Sequence, residues 1–415
     1  MKVIVIGENA KEQALAAALE RTGNHQILVC PGNPGTVQFE QSMEELPTPY
    51  TPENILQTIA QVNPDYVFIL DEHLIRQGWK EKISSRGWNV ISPNKKDAKL
   101  IDNKPLWTKR MQESDIPVAG FTLCDNLDQA LDLVKDLEGP IVLKEIGKEG
   151  RFAIPYNGDE ATDLLNEWFE QGPTQIMMCD FIEGERFNLP VFVWKDRVLP
   201  LLPFVVIRGV YENEDDAQSK GMGVVCDPKN RFSQEVGPQA IEEIIVPFLK
   251  ELQKDGIDYS GILSGEFIWS EKGPVCVNLK AGFSETGACI ESILMESDLL
   301  KAWQDLKDYK KPNMKWSKDA AVGVVLADNN YPDSISVGCP ISTDEDFEGS
   351  LFLNHVKQGE ESLETNGGRV LVVATKGKTI EEAANNTRSA ASHVHCPDLF
   401  FRKDIGNCEE LNEDK

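Results

Sequence analysis

Two neighbouring strands near the middle of the chain carry the residues best suited to chemistry. The sequence predicts strands over 262–269 and 274–280, joined by a short turn. Glu266 is a lone carboxylate among apolar residues of the first strand, and Asn278 lies on the second. A sheet that buries a glutamate beside an asparagine usually binds something there, most simply a Mg²⁺ ion carrying a nucleotide phosphate. The alternative is a hairpin with Glu266 on its hydrated face.

Strict alternation along the second strand adds two side chains to this site. Because successive residues of a strand point to opposite faces, Cys276, Asn278 and Lys280 are expected to share one face. Cys276 then stands where a second hard oxygen ligand would be expected, although a thiol is a poor ligand for Mg²⁺.

Three basic residues lie near strand ends or glycine turns. Lys104 lies at a helix start, Lys144 ends an apolar strand, and Arg151 follows a glycine-containing loop. A lysine that emerges from a buried strand needs an anion or solvent, and phosphate is a common anion in α/β proteins. A lysine of this kind, taken alone, is more often a solvated surface group. Together with Glu266 and Asn278, however, they make a nucleotide site plausible, and it is not of the P-loop type, since no Gly-x-x-x-x-Gly-Lys-Ser/Thr sequence occurs.

Composition narrows the class of protein. The 415 residues exceed one ordinary core, and the 41% hydrophobic content supports several globular domains. A net charge of −26 argues against a nucleic-acid partner, because phosphate backbones require a basic face. No run of 18 apolar residues is present, so we expect no membrane span and a cytoplasmic protein. None of the nine cysteines forms a Cys-x-x-Cys pair, so neither a disulfide framework nor a structural zinc site is expected.

The order of elements also indicates an α/β protein. Strands and helices alternate through the first hundred residues, which predicts an open parallel sheet with its ligand site at the carboxyl ends of the strands. The first loop, over residues 7–12, lacks the glycines of a dinucleotide-binding turn. A polar stretch at 307–318 is typical of a linker, and the remainder has the pattern of a small α+β unit.

Several short motifs together resemble one enzyme family. The chain is similar from end to end to glycinamide ribonucleotide synthetases (phosphoribosylamine–glycine ligases), which are ATP-grasp enzymes. The resemblance rests on the segments PGNPGT at 31–36, PIVLK at 140–144, GMG at 221–223, NGGRV at 366–370 and FRKDIG at 401–406.

The resemblance implies a fold of mixed α/β and α+β class. It comprises an N-terminal open parallel α/β domain over 1–101 and an ATP-grasp domain over 102–318, whose lid spans about 117–190. A small C-terminal domain covers 319–415.

The resemblance also implies a reaction. ATP phosphorylates the carboxylate of glycine, and the amine of phosphoribosylamine attacks the acyl phosphate to give an amide, ADP and phosphate. The implied cofactors are ATP and Mg²⁺, the implied partners are small-molecule substrates, and the protein is expected to be a monomer or a homodimer.

The family pattern can be transferred residue by residue. Lys104 and Lys144 match phosphate-binding lysines, and Asn278 matches a metal ligand. Asp180 and Ile182 lie in the segment whose backbone faces adenine. Lys280 stands where the family has an arginine, and Arg151 belongs to the altered phosphate-covering loop; these two are the expected catalytic residues.

The sequence departs from the family pattern mainly at positions expected to bind ATP and the metal ion. Phe152 replaces a glycine of the phosphate-covering loop, Arg186 replaces a carboxylate that holds ribose hydroxyls, and Cys276 replaces a metal-binding glutamate. Each replacement puts ATP or Mg²⁺ binding in doubt. Glu266 falls where other ATP-grasp enzymes carry a metal-binding carboxylate. A shifted metal site built from Glu266 and Asn278 is therefore our hypothesis.

Two other functions remain open. The chain could be a catalytically degenerate paralogue that acts as a binding or regulatory protein. It could also be an ATP-grasp ligase for a different carboxylate and amine, which the altered substrate loops at 11–13, 206–209 and 216–220 would permit.

Overall fold

The N-terminal region forms a parallel sheet flanked by helices. The computed structural model describes residues 1–40, 52–146, 150–172, 175–212 and 218–407, and the structural statements below concern these residues. The sheet has the strand order β2-β1-β3-β4, and its central strand carries the fully buried run Val3 to Ile6. The strands are β1 (Lys2–Gly7), β2 (Gln26–Pro31), β3 (Tyr66–Ile69) and β4 (Val90–Ile91). The helices are α1 (Ala10–Gly23), α2 (Val37–Glu40), α3 (Pro52–Val62), α4 (Glu72–Gln77) and α5 (Trp79–Ser84), with a 3₁₀ turn at Pro34–Thr36.

A break between two helices places Lys104. The sequence predicts one helix near 99–113, but the structure has α6 (Lys95–Asp102) and α7 (Lys104–Glu113). Asn103 separates them, and its side chain caps α7 by accepting a hydrogen bond from the Leu106 amide at 3.2 Å. Lys104 is therefore the first residue of a helix, as the sequence predicts.

The lid segment is a small antiparallel sheet covered on one face. Its strand order is β5-β8-β6-β7. The strands are β5 (Phe121–Cys124), β6 (Ile141–Ile146), β7 (Phe152–Ala153) and β8 (Gln175–Asp180), and the helices are α8 (Leu127–Val134) and α9 (Gly158–Glu170). Leu143, Ile176 and Met178 pack with buried residues of the two helices, whereas Val142, Met177 and Cys179 form a separate cluster. The sheet thus has one helix-covered face and one face available to a ligand.

The central antiparallel sheet carries the hairpin. Its order is β10-β9-β13-β14. The strands are β9 (Glu185–Trp194), β10 (Arg197–Pro200), β13 (Ser260–Ser270) and β14 (Gly273–Lys280). A helical segment precedes β13 and comprises π turns at Phe232–Val236 and Ile241–Ile245 with α10 (Gly237–Ala240) and α11 (Val246–Lys254). It shares one core with Phe187, Phe267 and Cys276 of the sheet.

A third sheet joins the central and C-terminal regions. Its order is β11-β12-β15-β20-β17, with β22 paired to β15, so it crosses the domain boundary predicted at residue 318. The strands are β11 (Val205–Gly209), β12 (Gln218–Cys226), β15 (Ala320–Asp328), β17 (Ser350–Leu353), β20 (Arg369–Gly377) and β22 (Leu399–Phe400). Helices α12 (Glu285–Leu294), α13 (Leu299–Lys307) and α14 (Ile380–Ser392) contribute buried residues to the same core.

A fourth, smaller sheet lies in the C-terminal region and has the order β18-β19-β16-β21. Its strands are β16 (Pro340–Thr343), β18 (Val356–Gln358), β19 (Leu363–Thr365) and β21 (Val394–His395). The buried residues of α1 pack into the core of the third sheet, so the N-terminal and C-terminal regions share packing.

Candidate active site

Glu266 and Asn278 are direct cross-strand partners in the hairpin. They pair in the antiparallel register of β13 and β14, so their side chains leave the same face of the sheet. The Glu266 side chain is only 15% exposed, and Asn278 is exposed. The predicted juxtaposition of these two oxygen donors is present in the structure.

Cys276 lies on the other face of the sheet. The register shifts after Glu266, so that Phe267 pairs with Cys276 and Val277 has no partner. This is a β-bulge, and one extra residue reverses the alternation on one side of it. The predicted shared face of Cys276 with Asn278 and Lys280 is therefore wrong. Cys276 is fully buried and belongs to the same core as Phe267 and Leu279.

The surroundings of Cys276 make it a structural thiol. Its amide donates to Pro117 O at 3.1 Å, and its carbonyl accepts from the Ala119 amide at 3.2 Å. These bonds tie the hairpin edge to the segment that leads into the lid. Burial raises the pKa of the Cys276 thiol to about 12. A neutral thiol facing the core supplies no ligand to a hard cation.

Lys104 reaches the hairpin from the start of α7. Its ammonium donates to Val277 O at 2.5 Å and lies 3.4 Å from Asn278 Oδ1. Burial, together with the neighbouring Lys144 ammonium, lowers the pKa of Lys104 to about 7. Two cations brought together in a partly desolvated place destabilise each other, and an anion bound between them would relieve that repulsion.

Lys144 projects from the uncovered face of the lid sheet. It occupies β6 in register with Phe152 and Met177. Its ammonium lies 5.7 Å from the centroid of the Phe152 ring, and that ring is 44% exposed. Phe152, one of the departures from the family pattern, therefore covers a lysine of the site and forms a cation–π contact with it.

Arg151 does not join these lysines. It forms a two-point ion pair with Glu145, with Nη2–Oε1 at 2.7 Å and Nε–Oε2 at 3.0 Å, and its guanidinium stacks on Trp168. Glu145 follows Lys144 on β6, and successive residues of a strand face opposite ways. Arg151 thus lies on the helix-covered face of the lid sheet, and this placement does not support the predicted catalytic role.

Asp180 and Ile182 lie where β8 ends. The Asp180 amide donates to Gly120 O at 2.9 Å, which holds the end of β8 against the start of the lid. A Cβ at Gly120 would lie 2.2 Å from Oδ2 of Asp180, so a larger residue there would displace the Asp180 side chain. Ile182 is half-buried in the connection between β8 and β9, and Arg186 is exposed at the start of β9.

Lys280 forms an ion pair with an acidic residue from a helix of the N-terminal region. Its ammonium lies 2.6 Å from Oε1 of Glu72, the first residue of α4. Burial lowers the pKa of Lys280, although the Glu72 carboxylate opposes this. Burial alone would raise the pKa of Glu72, but Lys280 and Lys11 reverse that effect and lower it. The pair is therefore charged on both sides.

Two further ion pairs lie beside the hairpin. Arg208 of β11 contacts Glu266, with Nη2–Oε2 at 3.0 Å. Arg369 of β20 contacts Glu285 at 3.0 Å, and it also donates to Gly221 O at 3.3 Å. The candidate metal carboxylate thus already has a cationic partner.

Glu12 is a buried carboxylate that sequence reasoning missed. Its Oε2 accepts from the Asn9 amide at 3.0 Å, and Lys11 lies 4.0 Å from Oε1. Burial raises the pKa of Glu12 to about 7 despite Lys11. Glu12, Glu72 and Glu285 were missed as a group, yet each lies in the first turn of a helix. Acidic residues at helix N-termini are the signal that could have found them.

Models of one protein family match nearly the whole chain. The N domain of phosphoribosylglycinamide synthetase matches residues 1–100, its ATP-grasp (A) domain matches 103–288, and its C domain matches 321–408. The chain belongs to the phosphoribosylglycinamide synthetase family. The family predicted from the sequence motifs is therefore confirmed.

Curated relatives match over nearly their full length. A phosphoribosylamine–glycine ligase of Halalkalibacterium halodurans is 27% identical over 424 residues, covering 98% of this chain and 97% of the relative. One from Helicobacter pylori strain 26695 is 28% identical over 417 residues, covering 97% and 96%.

Solved structures confirm the predicted ATP-grasp fold. The phosphoribosylamine–glycine ligase of Thermotoga maritima superposes with a TM-score of 0.81 at 23% identity, over 97% of this chain and all of that one. A biotin carboxylase from Campylobacter jejuni gives a TM-score of 0.66 at 12% identity, over 100% of this chain and 95% of the other. Within the described residues, no helix is both long and apolar enough to cross a membrane.

Proposed function

We propose that this chain is an ATP-dependent carboxylate–amine ligase that joins glycine to phosphoribosylamine through an acyl phosphate. The observation that carries the proposal is the approach of Lys104 to Asn278 beside Lys144. These residues come from a helix, a hairpin and the lid sheet, and they combine two cations with oxygen donors. Such a combination suits a nucleotide triphosphate. Family membership supports the same class of reaction.

The nucleotide would lie between the uncovered face of the lid sheet and the hairpin. In this arrangement the backbone at Asp180 and Ile182 holds adenine, and Lys104 and Lys144 bind the phosphates. The Lys144 face carries Val142, Met177 and Cys179, which is the apolar side of the lid sheet away from its helices. An apolar wall with a few polar groups is typical of cofactor sites.

The donor set fits one Mg²⁺ ion held jointly with phosphate. Glu266 and Asn278 offer a carboxylate and an amide oxygen from one face, and Mg²⁺ is commonly bound by one or two such groups plus substrate phosphates. Cys276 does not take part because its thiol faces the core. When bound, the ion would neutralise phosphate charge. Arg208 competes with it for Glu266.

The chain's own residues would act mainly by positioning and by charge stabilisation. The two lysines stabilise negative charge on the transferred phosphoryl group, and closure of the lid excludes water from the acyl phosphate. Lys280, held by Glu72, presents a cation on the hairpin face next to Asn278 and is suited to the carboxylate or the acyl phosphate. Arg151 has no part in this scheme.

One observation favours a second candidate, a catalytically degenerate binding protein. The Arg208–Glu266 ion pair occupies the carboxylate that would bind the metal. If that pair persists with nucleotide bound, the chain would bind nucleotide without transferring phosphate. A ligase for another carboxylate and amine is the remaining alternative. The ion pairs Lys280–Glu72 and Arg208–Glu266 would lie beside the substrates, and they involve residues that differ from the family pattern.

The test is ADP formation with Mg²⁺, ATP, glycine and phosphoribosylamine. We expect turnover by the parent chain and loss of at least about tenfold in kcat/KM for Lys144→Met. Lys135→Met is the matched control, since Lys135 is an exposed lid lysine paired with Asp132. Activity equal in all three proteins would remove Lys144 from the mechanism.

A second arm of the same test separates the alternatives. ADP binding without any turnover would favour the degenerate protein. Turnover only with another carboxylate or amine would favour a ligase with different substrates.

A further inference from the structure

Two thiols far apart in sequence meet in the C-terminal region. The Sγ atoms of Cys339 and Cys396 are 2.9 Å apart. Cys339 immediately precedes β16, and Cys396 immediately follows β21. These strands are antiparallel neighbours, with Ser342 opposite His395, so the contact lies at one end of a paired ladder. It therefore depends on strand pairing rather than on a chance approach of two loops.

Hydrogen bonds of the main chain hold both cysteines in place. The Cys339 amide donates to Thr365 Oγ1 at 3.1 Å, and the Thr365 amide donates to Cys339 O at 2.9 Å. The Cys396 carbonyl accepts from the Leu399 amide at 3.2 Å. Cys339 is 9% exposed, whereas Cys396 is half-buried. Cys396 is thus the more exposed of the two thiols.

We propose that Cys339 and Cys396 form a site of reversible disulfide formation, by exchange with a small-molecule disulfide such as glutathione disulfide. Sulfur atoms in a disulfide are about 2.0 Å apart, so the two Sγ atoms need to approach each other by only about 1 Å. This inference concerns the C-terminal region alone and does not depend on the proposed ligase activity.

The exchange balances in two steps. The Cys396 thiolate attacks glutathione disulfide, which forms a mixed disulfide and releases one glutathione thiolate. The Cys339 thiolate then attacks the Cys396 sulfur, which closes the protein disulfide and releases the second glutathione. Both protein thiols lose their protons, glutathione disulfide is reduced to two thiols, and the protein pair is oxidised by two electrons.

The environment of Cys396 sets the rate of the first step. Burial and the Cys339 contact raise the pKa of Cys396 to about 12. Because the thiolate is the attacking species, exchange is slow at neutral pH and accelerates as pH rises toward that value.

Peptide mapping tests the proposal on the native full-length protein. The protein is incubated with glutathione disulfide, its remaining thiols are alkylated, and it is digested with trypsin. Cleavage gives peptides 319–357 and 389–402, each of which contains one cysteine. We expect these peptides to be found joined after oxidation and separate after dithiothreitol. Recovery of both in alkylated form, with no joined species at any pH up to 9, would overturn the proposal.

Two single variants, each lacking one of the two thiols, serve as controls. In Cys339→Ser, the resolving thiol is absent, so peptide 389–402 should retain a glutathione adduct. In Cys396→Ser, the more buried Cys339 should react much more slowly. Oxidation should also raise the Tm of the parent chain and leave that of Cys339→Ser unchanged, because a cross-link between residues 57 positions apart restricts the unfolded chain. Equal glutathione adducts at both cysteines of the parent, without a cross-link, would contradict the geometry.

Discussion

Arg208 and Glu266 form an ion pair on the face of the hairpin that also carries Asn278, with Nη2–Oε2 at 3.0 Å. Glu266, the carboxylate that we propose as a metal ligand in place of the family's glutamate, thus already has a cationic partner from β11. A metal ion that enters this site must compete with Arg208. The balance between the two determines whether the rebuilt site holds Mg²⁺ and nucleotide together.

Removing the competing cation should strengthen metal binding. In Arg208→Met, we expect the Mg²⁺ concentration needed for half-maximal ADP affinity to fall about fivefold, since a partly exposed ion pair contributes on the order of 1 kcal/mol. Glu266→Gln should raise it. Titration calorimetry of ADP over a series of Mg²⁺ concentrations measures both. Arg197→Met is the arginine control, because Arg197 pairs with Trp194 at the other end of the sheet, six residues along β13 from Glu266. An unchanged midpoint in Arg208→Met would show that Glu266 does not ligate the ion.

Restoring the family's glutamate at position 276 should destabilise the protein rather than create a metal ligand. Because the bulge turns Cys276 into the core, Cys276→Glu would bury a carboxyl group and cost about 3 kcal/mol or more of unfolding free energy. Cys276→Ala should cost only about 1 to 2 kcal/mol. The matched control is Lys272→Glu in the exposed turn of the hairpin, which should change unfolding free energy little. Urea denaturation measures all three, and a stable Cys276→Glu with tighter Mg²⁺ binding would contradict the register.

The pairing of Glu266 with Asn278 could be predicted from the sequence, but the face of the sheet on which Cys276 lies could not. Residue types and strand periodicity predict which residues lie opposite each other on two neighbouring strands, and Glu266 and Asn278 are paired in the structure. A bulge is one unpaired residue, Val277, and it leaves no mark on apolar alternation. Ion pairs between distant segments, such as Lys280 with Glu72, are equally invisible because they depend on how sheets pack. The family motifs predicted the fold, whereas the effect of the replacements within them stays a prediction.

Arg151 should act in stability rather than in nucleotide binding. Arg151→Met would leave Glu145, whose side chain is 8% exposed, without its two-point partner. We expect a loss of about 1 to 3 kcal/mol in the stability of the lid region, with ADP affinity unchanged within twofold. Thermal unfolding and ADP titration test this, with the exposed Arg186→Met as control for Tm. If Arg151→Met lost ADP affinity without losing stability, Arg151 would instead be assigned to phosphate binding.

Nucleotide binding should take up protons through Lys104. Its pKa of about 7 leaves Lys104 roughly half protonated at pH 7 without ligand. Bound phosphates favour the ammonium and raise that pKa, so uptake should approach half a proton at pH 7 and increase toward pH 8. ADP affinity should correspondingly weaken as pH rises. Calorimetry in two buffers of different ionisation enthalpy measures the uptake. The extra uptake should vanish in Lys104→Met, and equal uptake in both proteins would assign it elsewhere.

The central claim is that phosphates bind where Lys144 of the lid meets Lys104 and the hairpin. It is tested most directly by calorimetric titration of ADP with Mg²⁺ into the parent chain, Lys144→Met and the lid control Lys135→Met. We predict that the Kd of Lys144→Met rises at least about tenfold, since a charge-assisted phosphate contact is lost, while that of Lys135→Met stays at the parent value. Equal affinity in all three proteins, or no ADP binding by the parent chain, would contradict the claim.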